Sequence, residues 1–322
     1  MLGMIPGNGH PYSWSAIING YDPAAMATCP YPAIASYLGA QPPASVKISG
    51  AQVTHLWTDN PDEAASVAAA SLIPKIVAQP EDVIGQVDAV FIATDDGFDH
   101  VRRARPFVEA GLPVFVDKPL ALSVPDLRTF IAWQRAGARI LSSSGLRYAP
   151  EIIPHQAGRT DPAIGDLRWI SGVSCKTWER YGIHLLEPIA CILGPGFISV
   201  RLESPPGSAP AKSGSTPPNV EVAHVTHRSG VQVTLPVIYD GGATFGTLHL
   251  CGTAGQTTIR MTHTYSAFRG QLLSFVDFVR TGATPYPFSE TIELMSVLIA
   301  GIRSRTEGSR PVSIAEIDAE LS

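Results

Sequence analysis

Three consecutive large apolar residues, Val114-Phe115-Val116, change character at once into Asp117-Lys118-Pro119. A run this short, with no polar face, fits a strand buried on both sides in a parallel sheet. Proline cannot donate to a sheet ladder, so Pro119 ends the strand and leaves Lys118 at its carboxyl end. Ligands of parallel sheets bind beyond that edge, so the ammonium is expected to face a crevice. The plain alternative is a surface lysine at a strand end, and the neighbouring sequence argues against it.

The same texture repeats on either side. Leu2 to Pro6 reads as a strand running into Gly7-Asn8-Gly9, with a helix starting near Ser13. Ala51 to Trp57 is a second strand. Asn60 then caps a helix that opens with Pro61, Asp62 and Glu63, residues suited to a first turn. Val87 to Ala93 is a third strand, followed by a helix from about Gly97 to Ala110. After the Val114 strand come a helix from Val124 to Ala136 and a strand from Arg139 to Ser143. This alternation predicts a Rossmann-like, doubly wound parallel sheet over residues 1–146 of an α/β protein. Residues 21–44, rich in Pro, Ala and Tyr, interrupt it as an insertion or long loop.

Past Pro150 the pattern changes. Leu167–Ser174, Ile198–Glu203, Val220–His227, Val231–Ile238 and Thr247–Cys251 read as strands with few helices between them. Several alternate polar and apolar residues, which predicts an α+β domain over 147–322 with a large open, mainly antiparallel sheet. The segment from Ser204 to Pro218 holds five prolines and reads as a mobile loop. Helices are expected at about Gly270–Arg280 and Glu290–Arg305.

Of the 322 residues, 45% are hydrophobic and 16% charged, enough apolar material for sizeable cores. The net charge is −5 and no Lys/Arg block is present, which argues against nucleic acid and anionic membrane as partners. Cys29, Cys175, Cys191 and Cys251 are widely spaced, with no metal-ligand pattern, so free thiols and no metal are expected. No apolar run is long enough to span a membrane and no signal peptide is visible, so the expected location is cytoplasmic.

A Gly-x-Gly turn between a strand and a helix lets a backbone approach a diphosphate at the helix N-terminus, making Gly7, Asn8 and Gly9 candidate cofactor residues. The third small position of that fingerprint is Tyr12 here. The second strand should end on an acid if it binds ribose hydroxyls. Aligned on Asn60-Pro61, Thr58 stands where that acid is expected and Asp59 one residue later, leaving both NAD and NADP open. Thr94 and Asp95 end the third strand, where carboxylates near an anionic cofactor need hydroxyls to bind. His100 begins the next helix, as a cofactor contact or a packed ring. Asp117 and Lys118 complete the set.

Ala93-Thr94…His100, Ala110-Gly111…Asp117-Lys118-Pro119-Leu120, Gly145-Leu146-Arg147-Tyr148…Pro150, Tyr181-Gly182-Ile183-His184…Glu187 and Gly308-Ser309-Arg310-Pro311-Val312, in that order, resemble the Gfo/Idh/MocA oxidoreductases, relatives of glucose–fructose oxidoreductase and inositol dehydrogenase. The resemblance spans nearly the whole chain, with the family's Glu-Lys-Pro appearing as Asp-Lys-Pro. It implies an NAD(P)-dependent enzyme moving a hydride between nicotinamide and a hydroxyl or keto carbon of a sugar, cyclitol or related polyol. In the family, the lysine matching Lys118 binds the reacting hydroxyl and the histidine matching His184 takes its proton. A neutral imidazole suits that task near pH 7, and an ammonium stabilises the alkoxide.

Arg180 stands where the family commonly has an Asp, one helical turn before His184. Glu179 or Glu187 are possible replacements, and Pro188 predicts a bend or a helix start. Three consequences stay open: a different acid–base set, an acidic substrate held by Arg180 and Arg147, or lost redox chemistry. The last includes a transient-NAD epimerase or glycosidase, or an inactive ligand-binding protein. Trp178 and Tyr181 flank the histidine as candidates to stack on a sugar. Val231, Val233, Leu235 and Val237 alternate as an apolar sheet face, which predicts a homodimer or homotetramer through the C-terminal sheet.

Overall fold

The computed structural model describes residues 1–42, 45–158, 161–204, 220–241 and 246–322. The proline-rich stretch after Ser204 lies outside the described residues. The chain divides into two compact units. The first takes Met1–Leu120, Thr129–Ser143 and Thr264–Tyr286, the second Ala121–Arg128, Ser144–His263 and Pro287–Ser322.

In the first unit β1 (His55–Leu56) pairs with β2 (Lys75–Ile76), and β3 (Val90–Ile92), β4 (Val114–Val116) and β5 (Ile140–Leu141) form a parallel three-stranded sheet. Leu2 bridges to both Trp57 and Ile92 in parallel and joins the two sets. The predicted first strand is reduced to that bridge. Gly3 has φ +90°, and the next N–H, that of Met4, leaves the ladder for the Asp59 carboxylate. The helices are α1 (His10–Asn19), α2 (Pro23–Met26), α3 (Pro32–Gly39), α4 (Pro61–Ala70), α5 (His100–Glu109) and α6 (Val124–Arg135), the last divided between the units. The stretch read as an insertion thus contains α2 and α3.

The helix α8 (Thr264–Thr281) also falls in the first unit, which a boundary at residue 146 does not anticipate. Its Phe275 packs edge-on against Phe91 and Phe115, and its Gln271 donates to the Ser143 carbonyl oxygen at 2.5 Å.

The second unit is built on one sheet of β6 (Leu167–Ser171), β7 (Ser174–Cys175), β8 (Phe197–Glu203), β9 (Val220–His227), β10 (Gln232–Ile238), β11 (Thr247–Gly252), β12 (Gln256–Arg260) and β13 (Val312–Ser313). Its order is β12-β11-β6-β10-β9-β8-β13, with β7 also on β10. Pairing is antiparallel except where β6 and β7 meet β10. The helices α7 (Trp178–Leu193), α9 (Phe288–Thr306) and α10 (Ile314–Leu321) complete it.

Two sequence expectations change here. Val231, Val233, Leu235 and Val237 are buried among the unit's own residues, where α7 packs on β10 and α9 on β8, so they are core and not an exposed face. Alternation reports that one face is buried, not what buries it. And Pro188 does not start a helix: α7 runs through it, from its Thr177 cap to Gly194.

Candidate active site

At the carboxyl ends of the first unit's strands the side chains are tied into three linked groups. Asp117 is fully buried. Its Oδ1 accepts the Lys118 N–H at 2.7 Å, while its Oδ2 accepts from Asn8 Nδ2 at 3.1 Å and meets His10 Nδ1 at 2.6 Å. Asn8 also donates to the Ala93 carbonyl oxygen at 3.1 Å, so turn and strand ends are stitched together. Lys118 is itself buried, with Nζ 3.5 Å from Asp95 Oδ2. Burying two opposite charges is tolerable only when they are paired, which this arrangement provides.

The third group surrounds Asp59. Its Oδ1 accepts from Arg103 Nη2 at 2.6 Å, and its Oδ2 accepts from the Met4 N–H at 2.9 Å and Arg103 Nη1 at 3.2 Å. Arg103 reaches Asp99 as well, at 2.6 Å. Thr58 is buried and donates to the Asn60 carbonyl oxygen at 2.8 Å, shaping the start of α4. His100 is buried, with Nε2 2.7 Å from the Thr94 carbonyl oxygen and Nδ1 2.9 Å from that of Pro119. It clamps the ends of β3 and β4. Thr94 is buried, and its Oγ1 has no hydrogen-bond partner among the described residues.

In the second unit His184 sits on α7 and is 6% exposed, with Nδ1 2.7 Å from Ser144 Oγ. Glu187, one turn further on, accepts from the Ser144 N–H at 3.1 Å and from Arg147 Nη1 at 2.8 Å. Arg147 also pairs with Glu290. Burial pushes the Glu187 carboxyl above the ordinary carboxylate range, against the pull of Arg147. Tyr181 presents an edge to His184 at 4.8 Å, and Lys176 Nζ lies 4.3 Å from the Tyr181 ring centre. Burial raises the nearby Cys191 thiol to about 11, so it stays protonated at neutral pH. Among the described residues no cluster of three or more His, Cys, Asp or Glu is arranged to hold a metal.

Several predicted contacts are placed differently. Trp178 is wholly buried and donates from Nε1 to the Leu298 carbonyl oxygen at 3.0 Å, filling the space over Gly182 and Gly301, so it has no face for a sugar. Arg147 is committed to two carboxylates. Both Asp117 oxygens are used within the unit, and His100 faces backbone. Arg180 lies half-buried in the first turn of α7, its N–H accepted by Thr177 Oγ1. The sequence reading missed His10, Ser144, Lys176 and Glu290. Only His10 had a local signal, as an imidazole directly after the Gly-x-Gly turn.

The first unit carries a parallel sheet with a glycine turn and a strand-end lysine, an arrangement of the doubly wound, nucleotide-binding kind, and the second carries an open mixed sheet. Residues 36–143 match GFO_IDH_MocA, the oxidoreductase family with an NAD-binding Rossmann fold. The inositol 2-dehydrogenase 1 of Saccharopolyspora erythraea is 33% identical over 115 residues, 34% of this chain and 33% of that one. A probable dehydrogenase from Thermotoga maritima shares the fold with a TM-score of 0.73 at 14% identity, covering 98% of both chains. A myo-inositol dehydrogenase from Lactobacillus casei, in complex with NAD(H) and myo-inositol, gives 0.68 at 15% identity over 83% of this chain and 90% of that one. The family match is confined to residues 36–143, and the likeness to the solved structures extends the shared fold over nearly the whole chain. The chain spans between about a third and three fifths of the length of the curated relatives it matches.

The strand ends fit a nicotinamide dinucleotide. The orphaned Thr94 hydroxyl is an open hydrogen-bonding position, and a Cβ built at Gly7 meets nothing within 4 Å. The N–H groups of Gly9 and Tyr12 make no hydrogen bond among the described residues.

Proposed function

We propose that this chain is an NAD(P)-dependent dehydrogenase acting on a secondary hydroxyl of a cyclitol, sugar or related polyol. The observation that carries the reading is Lys118: a buried ammonium at the carboxyl end of β4, in a family with an NAD-binding Rossmann fold, its charge offset by Asp95. The dinucleotide, when bound, supplies the hydride acceptor. The residues of this chain handle the proton and the charge. As the substrate C–H hydride departs, His184 takes the hydroxyl proton at Nε2, its Nδ1 being held by Ser144, and Lys118 stabilises the negative charge on that oxygen. Glu187 holds the Ser144 backbone and so supports the imidazole through Ser144, in place of the carboxylate that the family commonly puts at position 180.

A second reading keeps the nucleotide without net redox turnover, as in a transient-NAD epimerase or glycosidase, or a ligand-binding protein without catalysis. It rests on Arg180 and on the engagement of both Asp59 oxygens. Capture of an acidic substrate through Arg147 is not favoured, because Glu187 and Glu290 already pair with it.

The test combines binding and turnover. NAD or NADP at a hundredfold excess over Kd should stabilise the protein by about 2.7 kcal/mol, read as a rise in Tm. A panel of inositols, sugars and sugar acids should then yield reduced cofactor. No thermal shift with either dinucleotide sinks both readings. A shift with substrate conversion but no net reduced cofactor selects the second.

A further inference from the structure

The glycine turn has given up most of the backbone donors that hold a diphosphate. At a helix start the N–H groups of the first turn point at a bound anion. Here the Asn8 N–H goes to the Ile5 carbonyl oxygen at 3.1 Å, the His10 N–H goes to Asn8 Oδ1 at 2.9 Å, and Pro11 has none. Gly9 and Tyr12 remain.

Two side chains stand beside the depleted turn. Tyr31, carried between α2 and α3, lies against Gly9 so closely that a Cβ there would come within 2.8 Å of its ring. The Gly7 backbone faces its phenol oxygen, and the Asp95 carboxylate is within electrostatic reach of it. The phenol therefore sits by the turn, within reach of a carboxylate at the end of β3. On the β4 side, His10 is stacked on Trp14 at 4.3 Å with Phe268 edge-on at 5.4 Å. Its Nδ1 is taken by Asp117, and its side chain is 15% exposed.

We propose that the diphosphate of the dinucleotide is held in this chain by the side chains of Tyr31 and His10, in place of backbone donors that the turn has surrendered. The proposal rests on the dehydrogenase reading only in requiring that a dinucleotide binds. A phenol donates one hydrogen bond. An imidazole whose Nδ1–H serves Asp117 donates from Nε2 only as the imidazolium, which then carries a positive charge to the anion. The insertion at residues 21–44 acquires a purpose: it delivers Tyr31.

The test is binding without turnover. Kd values for NAD and for ADP-ribose, which keeps the diphosphate and lacks nicotinamide, are measured by calorimetry for the wild type, Tyr31→Phe and His10→Asn, with adenosine followed by saturation-transfer NMR. His10→Asn keeps a donor for Asp117 and loses Nε2. Tyr31→Phe keeps the ring on Gly9. Each variant should weaken NAD and ADP-ribose alike by about tenfold and leave adenosine unchanged, with Tm unaltered. Equal affinities for wild type and both variants would overturn the proposal while leaving the dehydrogenase reading intact. Loss of adenosine along with the others would also overturn it, since it would mean the pocket itself had collapsed. A wild type that binds neither NAD nor NADP would instead remove the dehydrogenase reading.

Discussion

The two buried charged centres of this chain are assembled by opposite means. In the first unit the lysine, its neighbouring aspartate and the proline that ends their strand are consecutive in sequence, and the position of Lys118 follows from strand termination alone. In the second unit His184 draws its support from Ser144, 40 residues earlier, and Ser144 in turn is held by Glu187. The first centre is a property of a strand end; the second is a property of how a helix docks on a loop. The difference predicts how each centre fails. Removing a strand-end group should damage chemistry and spare geometry, whereas removing a support in the second unit should loosen an imidazole that is still present.

The largest effect tests the acid–base half. His184→Ala should lower kcat by about 10²- to 10⁴-fold and flatten the limb of the pH–rate profile that reports the base. Retention of wild-type kcat would show that proton transfer lies elsewhere. Lys118→Ala should lower kcat/KM by about 10²- to 10³-fold, in line with the loss of one group aimed at a developing oxyanion. It also leaves the buried Asp95 without this ion-pair partner, so Lys118→Arg is the companion variant. A charge-retaining replacement that folds as the wild type yet stays inactive separates a demand for lysine's geometry from one for charge.

Smaller and more diagnostic is Ser144→Ala. If Ser144 only positions the ring, kcat should fall by about tenfold with KM nearly unchanged, and Ser144→Thr should recover part of the loss. A rise in KM alone would mean that the hydroxyl meets substrate and that the comparison between a chemical centre and a supported centre has been drawn in the wrong place.

The same contrast explains what was legible in the sequence. The parallel sheet, the open antiparallel sheet and the lysine at a strand end are written in local patterns of apolar residues and breakers. His10 and Asp117 are 107 positions apart, and neither residue's neighbours announce the pair. Trp178 at the start of a helix looks the same in sequence whether its indole is a stacking platform or, as here, core packed over Gly182 and Gly301. The valines of β10 show a buried face, but the helices that bury it lie elsewhere in the chain. Helix α8 joins the first unit through Phe275, whose partners Phe91 and Phe115 lie far back in sequence.

The subtlest prediction concerns Glu187, because it separates a support that is charged from one that is merely present. Burial holds its carboxyl above the ordinary value of 4.5 despite Arg147, so the folded state binds its proton more tightly than the unfolded chain does. Linkage then fixes the sign: this residue's contribution is fully present below about pH 4.5 and is lost as pH rises through the raised folded value. Asp99 and Glu151, held below their ordinary values despite partial burial by hydrogen bonds (Asp99 from Arg102 and Arg103, Glu151 from backbone N–H groups and from His263), act in the opposite direction, so the quantity to measure is the difference between wild type and Glu187→Gln. Glutamine keeps an acceptor for the Ser144 N–H and cannot titrate. Its unfolding free energy, followed by denaturant melts from acid to neutral pH, should gain on the wild type as pH rises. A difference that stays flat would mean that Arg147 fully compensates the buried carboxylate, and that the second unit's centre is as tightly paired as the strand-end centre of the first.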